Sequence, residues 1–359
     1  MRKILSTLLA MLMLITMMPL SVMAFEENSS ETTAAISLSS QETESLISVL
    51  NDFEQQKSNL GLNNVNFYNL YIGNPIQTYI YKNNTFTESH KMYPILEDGT
   101  LVFWAYKQSG KFQLTTGLTK EVNSLIINKN PFAIVYDVDK AYAYCNGEFF
   151  LLAVSPHKDN TRSVLNTNNF DEEINLEVSD FTKLSSITFR SSRAGTTYKL
   201  DVDFVSQDLS SLGISTSNIC WAASAACIVN YVKGKSLTAV DVAKSHKGSG
   251  NFNDFLIFTE FPSVIDNYAL YYTVKSSLTS DNTVLGNLQS GYPIASNWTT
   301  GTYGHTCVIY GINIISGYYY LMDPAVGFTS AVVGSNGYTF VDSSSGATFT
   351  LGEAACYSW

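Results

Sequence analysis

Among the five cysteines of this 359-residue chain, Cys220 has the setting that covalent chemistry would need. It stands in Asn218-Ile219-Cys220-Trp221-Ala222-Ala223-Ser224, and small, apolar residues continue to Val229. That run reads as a buried helix with Ser217 or Asn218 as its cap, which puts Cys220 in the first turn. The unpaired amides and the positive end of the dipole favour a thiolate there. A thiolate nucleophile also needs an imidazole to take its proton. Histidine occurs at 90, 157, 246 and 305, and only the last two lie in the same half of the chain as Cys220. His246 sits beside Lys244 and Lys247 at the polar end of a helical pattern, where the dipole accounts for it. His305 instead opens an apolar strand after Gly301-Thr302-Tyr303-Gly304, so that it stands as a base at a strand mouth. Asp323 ends the next apolar strand, 18 residues further on. If a turn at 313–317 joins these strands as antiparallel neighbours, Asp323 reaches His305 and can orient the ring and stabilise its cation.

Other chemistry is weakly supported. Cys227, Cys307 and Cys356 read as small buried residues, the usual state of free cysteine, and Cys145 has no histidine in a suitable context. No Cys-x2-Cys or His-x3-His spacing supports a metal site among Cys220, Cys227, His305 and Cys307. Gly234-Lys235-Ser236 lacks the upstream glycine of a phosphate loop, and no Gly-x-Ser-x-Gly elbow surrounds a serine. No metal and no cofactor is expected. Trp298 and Tyr318 to Tyr320 have side chains suited to a substrate groove, with core packing as the default.

The elements that must position these groups fall into two parts. Residues 40–190 begin with an amphipathic helix capped by Ser40, followed from Phe67 to Val154 by strand-like runs. These runs are separated by Asp98-Gly99, Ser109-Gly110 and Asn146-Gly147, and interrupted by a short helix at about 119–127. This is a sheet-rich α+β domain. Residues 191–197, Ser-Ser-Arg-Ala-Gly-Thr-Thr, read as a linker. In 198–359 come an extended run at 200–205, the helix at Cys220, helical patterns at 237–246, 262–270 and 281–290, and then strands with glycine turns. The fold class is α+β.

Before all this, Arg2 and Lys3 precede an apolar stretch that ends at Val22-Met23-Ala24, so residues 1–24 read as a signal peptide and residues 25–39 as a polar tether. The chain is expected to be exported, secreted and free of stable membrane insertion. With 21 Lys+Arg against 31 Asp+Glu the net charge is -10, the wrong sign for neutralising phosphates, so no nucleic-acid partner is expected.

Cys220 to Ser224, Gly304 to Gly311 and Asp323-Pro324 together resemble the papain-like cysteine peptidases of bacteria, in particular the compact secreted group related to staphopains and the avirulence-type effector proteases. The 85 residues from Cys220 to His305 are fewer than the roughly 130–150 of papain and cathepsins, which favours the compact type. The resemblance implies a papain-like domain over 198–359, with a helical subdomain followed by antiparallel sheet. It implies Cys220 as nucleophile, His305 as base and Asp323 as the orienting residue. Gln207 is the best match to the oxyanion-hole glutamine but lies 13 residues before Cys220, a gap that an insertion at 208–217 would explain. Trp221, Trp298 and Gly304 become groove residues. By arrangement alone, the N-terminal domain resembles an inhibitory propeptide. The expectation is therefore a secreted, monomeric endopeptidase acting on polypeptides, made as a zymogen with Arg190 and Arg193 as cleavage points. Two alternatives stand beside it: a non-catalytic exported binding or adhesion protein on the same scaffold, and a transpeptidase.

Overall fold

Two of the turn dipeptides of the N-terminal half become hairpins because both of their residues adopt left-handed backbone. In the computed structural model Asp98 and Gly99 have φ of 47° and 80°, and Asn146 and Gly147 have 52° and 83°, the geometry that matches the twist of paired strands. The structure describes residues 38–358 except 56, 59–61, 83–84, 109, 129, 138–139, 155–180, 185–196, 215–216, 277–280 and 335–336. The expected signal peptide, most of the tether, Arg190, Arg193 and all of the linker but Thr197 lie outside the described residues.

Helix α1 (Ser40–Glu54) starts at Ser40, the residue expected as its cap, so the cap lies one residue earlier. Ser39 is the N-cap, because Ser39 and Glu42 have the spacing for a reciprocal pair: Ser39 N donates to Glu42 Oε2 at 2.7 Å and Glu42 N to Ser39 Oγ at 3.3 Å. Strands β1 (Leu70–Gly73), β2 (Ile76–Lys82), β3 (Thr85–Glu97), β4 (Thr100–Gln108) and β5 (Lys111–Thr115) follow. After α2 (Thr119–Ile127) come β6 (Ala133–Asp137), β7 (Lys140–Cys145) and β8 (Glu148–Val154). Their pairing is antiparallel except for β2 with β6, which run parallel across the α2 crossover. Strand β9 (Phe181–Lys183) returns to β1.

The C-terminal half begins with β10 (Thr197–Lys199), shorter than and just before the extended run expected at 200–205. Residues 200–209 are irregular, with Leu200, Val202, Val205 and Leu209 buried. Helices α3 (Cys220–Lys233), α4 (Ala239–Lys247) and α5 (Phe261–Asp266) come next, then β11 (Tyr272–Lys275) and α6 (Asp281–Gln289). The last strands are β12 (Ile294–Thr299), β13 (Gly304–Asn313), β14 (Tyr318–Asp323), β15 (Gly327–Gly334), β16 (Gly337–Val341) and β17 (Thr348–Tyr357). Each pairs antiparallel with the next, and β17 pairs back with β12, which closes a barrel. Strand β10 adds to β13, and β11 to β17. The chain is a mixed helix-and-sheet protein.

The two halves share one core. Leu46, Val49, Leu50 and Phe53 of α1 and Phe112 and Leu114 of β5 belong to the same buried cluster as Tyr318, Tyr320, Phe328 and Val332. Strand β5 also touches the barrel as a strand, Thr115 opposite Thr329. Gln113 is buried there, with Oε1 accepting from Val341 N at 3.2 Å and Nε2 donating to Thr329 Oγ1 and the Val341 carbonyl at 3.4 Å. Asp52 of α1 is 1% exposed and accepts from Thr197 Oγ1 at 3.0 Å, Asn313 Nδ2 at 3.1 Å and the Tyr320 hydroxyl. All the described residues belong to one compact unit.

Candidate active site

Helix α3 begins at Cys220 and is apolar on every side, so residues Trp221 through Val229 are buried. Its N-cap is Ile219, and no side chain caps it, which differs from the expected Ser217 or Asn218 cap. Both have other partners. Ser217 Oγ donates to the Gln207 carbonyl at 2.5 Å. Asn218 exchanges two hydrogen bonds with Asn253, its backbone N to Asn253 Oδ1 at 2.9 Å and its Nδ2 to the Asn253 carbonyl at 3.1 Å. The helix therefore presents amides that no side-chain cap occupies, at the residue that carries the thiol.

The barrel supplies the opposite side. His305 is the second residue of β13 and Asp323 the last of β14, and the hairpin register brings them together: His305 Nε2 lies 2.7 Å from Asp323 Oδ1, at 1% and 0% exposure. A second bond holds the carboxylate still, since Ala325 N donates to Asp323 Oδ1 at 2.9 Å. Ser224 ties the helix to the strand. One turn beyond Cys220, its Oγ donates to the Thr306 carbonyl at 2.9 Å.

Electrostatics follow from this packing. Burial pushes the Cys220 thiol up, but the His305 imidazole and the Thr306 backbone outweigh it and leave the thiol below its ordinary pKa. Burial likewise works against an imidazolium at His305, and negative neighbours raise it well above the usual histidine value. Cys307 and Asp323 are the neighbours on that side. Burial pushes Cys307 up to about 12, so it is a neutral thiol near pH 7 and the Asp323 carboxylate carries the effect. The ordinary order, imidazole below thiol, is compressed from both directions, which favours a thiolate–imidazolium pair.

Gln207 lies beside this pair through the backbone. Its N donates to the Pro324 carbonyl at 3.1 Å, directly after Asp323. After Gln207 comes a short 3-10 turn at Ser210–Leu212, and Ser217 is tied back to the Gln207 carbonyl. The Gln207 amide is 2% exposed, and neither its Nε2 nor its Oε1 has a partner among the described residues.

Cys220 opens into a cavity of about 420 Å³ lined by Trp221, Phe255, Phe258, Asn297, Gly304 and Thr306. Trp221 and Gly304, expected from the sequence as groove residues, are among the residues that line it. Trp298 is not. It is fully buried, donates to Ser296 Oγ at 2.8 Å and packs edge-on against Phe340, so its ring belongs to the barrel core. Gln207 lines a neighbouring cavity of about 830 Å³, and Ser217 lines both. Residues 255–258 went unnoticed in the sequence, although Phe255 at 73% exposure and Ile257 at 59% are unusual for large apolar side chains.

His305, Cys307 and Asp323 offer donor atoms within 4.8 Å of one another, the spacing of a metal cluster. The Asp323 oxygen already holds the imidazole and a backbone amide, and the Cys307 thiol is protonated near neutrality. Such a set has the chemistry of an ion pair with a neutral thiol beside it.

A buried helix starting at a cysteine, set against a barrel that carries a histidine–carboxylate pair, is accompanied by a sequence match of the same class. That match supports a cysteine peptidase, a hydrolase. Residues 198–339 match the family model described as papain-like cysteine protease AvrRpt2, a span that contains Gln207, Cys220, His305 and Asp323. No curated protein matches the chain.

Proposed function

We propose that the chain is a secreted endopeptidase that cleaves polypeptides through Cys220, His305 and Asp323. The observation that carries this reading is the buried 2.7 Å contact of His305 with Asp323 beside a thiol whose pKa is lowered by that same imidazole. His305 takes the Cys220 proton, and the thiolate attacks the scissile carbonyl. The oxyanion is held by the Cys220 backbone N–H, with the Gln207 amide as second donor. His305 gives its proton to the leaving amine, and water then hydrolyses the thioester. Asp323 keeps the ring oriented and its cation stable.

The chain is made as a precursor, exported by its first 24 residues, in which the N-terminal half restrains the enzyme. Among the described residues, the cavity at Cys220 is lined by the C-terminal half alone, whereas residues 116–121 wall the cavity at Gln207. Incubating the full chain with unfolded, fluorescein-labelled casein tests the activity. Cleavage that Cys220→Ala abolishes while the circular dichroism spectrum stays unchanged supports the reading. Cleavage surviving in that variant removes Cys220 as nucleophile.

A further inference from the structure

The larger cavity has walls from both halves of the chain. Leu62, Val102 and Thr119 of the N-terminal half face Gln207, Leu209 and Phe328 of the C-terminal half across about 830 Å³. Ser217, three residues before Cys220, lines both this cavity and the thiol's own pocket. Inside it lies the Gln207 amide, buried with both polar atoms lacking a partner among the described residues. A buried amide without partners costs free energy unless something completes it. Gln207 lines the larger cavity, where a ligand backbone would complete it.

The N-terminal wall is built to stay in place. Thr116 N donates to the Phe328 carbonyl at 3.4 Å, one residue after the β5–β15 contact. A methyl group on Gly117 would overlap Ser343, so the backbone there lies directly on the barrel's loop. Leu118, next in line, is buried and held at φ 59°, and Thr119 Oγ1 donates to the Thr116 carbonyl at 2.9 Å. A left-handed leucine is retained only where surrounding packing dictates it.

We propose that this wall is half of a substrate-binding site: residues 116–121, with Leu62 and Val102, bind the stretch of an extended polypeptide that runs past Gln207, and the pocket beside Trp221 takes the stretch on the other side of the cleaved bond. The proposal rests on Cys220 being the nucleophile, and assigns the N-terminal half a part in recognition as well as restraint. The occupant is an extended, unfolded chain with apolar side chains. An extended strand rises about 3.3 Å per residue with side chains on alternate sides, which suits a two-walled cleft with apolar residues on both faces and a backbone-type partner, Gln207, between them. A folded domain does not fit between the walls.

The test uses the full chain with Val102→Arg and, separately, Thr119→Trp, each replacing a half-buried side chain on the N-terminal wall. KM is measured for fluorescein-labelled casein and for a library of tetrapeptide coumarin amides, which are too short to occupy both cavities. The expected result is a rise of about tenfold or more in the casein KM relative to the tetrapeptide KM. Equal changes for both substrates, or no change for either, overturn the proposal. Binding of labelled casein to the Cys220→Ala chain, read by fluorescence anisotropy with and without each wall variant, separates this idea from the catalytic one. Affinity that falls tenfold supports the wall even where no turnover occurs, and unchanged affinity overturns it. If Val102→Arg fails to fold, Thr119→Trp, at the first turn of α2, decides.

Discussion

Replacing Asp52 with alanine tests whether the N-terminal half is part of the enzyme's own core. The carboxylate lies in α1 and accepts from Thr197 Oγ1, Asn313 Nδ2 and the Tyr320 hydroxyl, three donors contributed by the C-terminal half. Lys199 stands over them. Its Nζ donates to the Asp52 carbonyl at 2.8 Å and lies 3.4 Å from the centre of the Tyr320 ring. Alanine removes the acceptor and leaves the donors in place. An orphaned buried donor costs about 1–3 kcal/mol, and losing one partner of a buried charged network about 3–5 kcal/mol. Because Asn313 and Tyr320 can relax in part, about 3–5 kcal/mol is expected for the whole change rather than a sum over donors. Urea unfolding followed by tryptophan fluorescence and far-ultraviolet circular dichroism measures it, with coincident transitions as the check on a single cooperative unit. A loss below about 1 kcal/mol, typical of a surface substitution, or a transition that splits so that the barrel melts at its original midpoint, would refute the shared-core reasoning.

The same network sets a pH dependence. Burial lowers Lys199 to about 7 against the opposing pull of Asp52. The unfolded lysine titrates near 10.5, so between pH 7 and 10.5 the unfolded chain binds more protons. Lys199's contribution to stability therefore grows as pH rises through that window and is lost as pH falls towards 7. Lys199→Met should flatten the rise.

Three further outcomes follow from the site and its supports. Asp323→Asn removes the charge that holds the His305 imidazolium, so the alkaline limb of the kcat/KM profile should move to lower pH by about 1–3 units, as stopped assays across pH 5–10 would show. An unmoved limb would mean that Asp323 only positions the ring. Ser224→Ala cuts the bond from α3 to the Thr306 carbonyl. Stability should fall by about 1 kcal/mol, and kcat should fall with little change in KM. Gly346 has φ 67°, and a methyl there would overlap the ring of Tyr136, itself fully buried. Gly346→Ala should cost roughly 2–4 kcal/mol in urea unfolding from left-handed backbone and overpacking together.

Local chemistry was the legible part of this sequence. The Asp-Gly and Asn-Gly turns, the short helix before Ile127 and the helix beginning at Cys220 all follow from backbone preferences of a few adjacent residues. The approach of His305 to Asp323 was readable because a hairpin's register relates two positions through one turn. Long-range pairing was not. The parallel contact of β2 with β6 and the join of β5 to β15 depend on partners 50 and more residues apart, and no local pattern encodes either. For that reason the core that α1 and β5 share with β14 and β15 was not legible either. The cap of α3 was misread because Ser217 and Asn218 have the right chemistry for capping, but the tertiary structure turns them to Gln207 and Asn253. Trp298 was placed in a groove because nothing local distinguishes a ring facing a cleft from one facing a barrel core.

Selective alkylation tests the central claim, that His305 activates Cys220, most directly. The full chain is treated at pH 6 to 7 with an irreversible thiol-directed epoxide, and adducts are mapped by mass spectrometry over Cys145, Cys220, Cys227, Cys307 and Cys356. The account predicts labelling at Cys220 alone, lost in His305→Ala. In a demonstrably folded chain, Cys220 labelling that persists in His305→Ala, or an unlabelled Cys220, would contradict it.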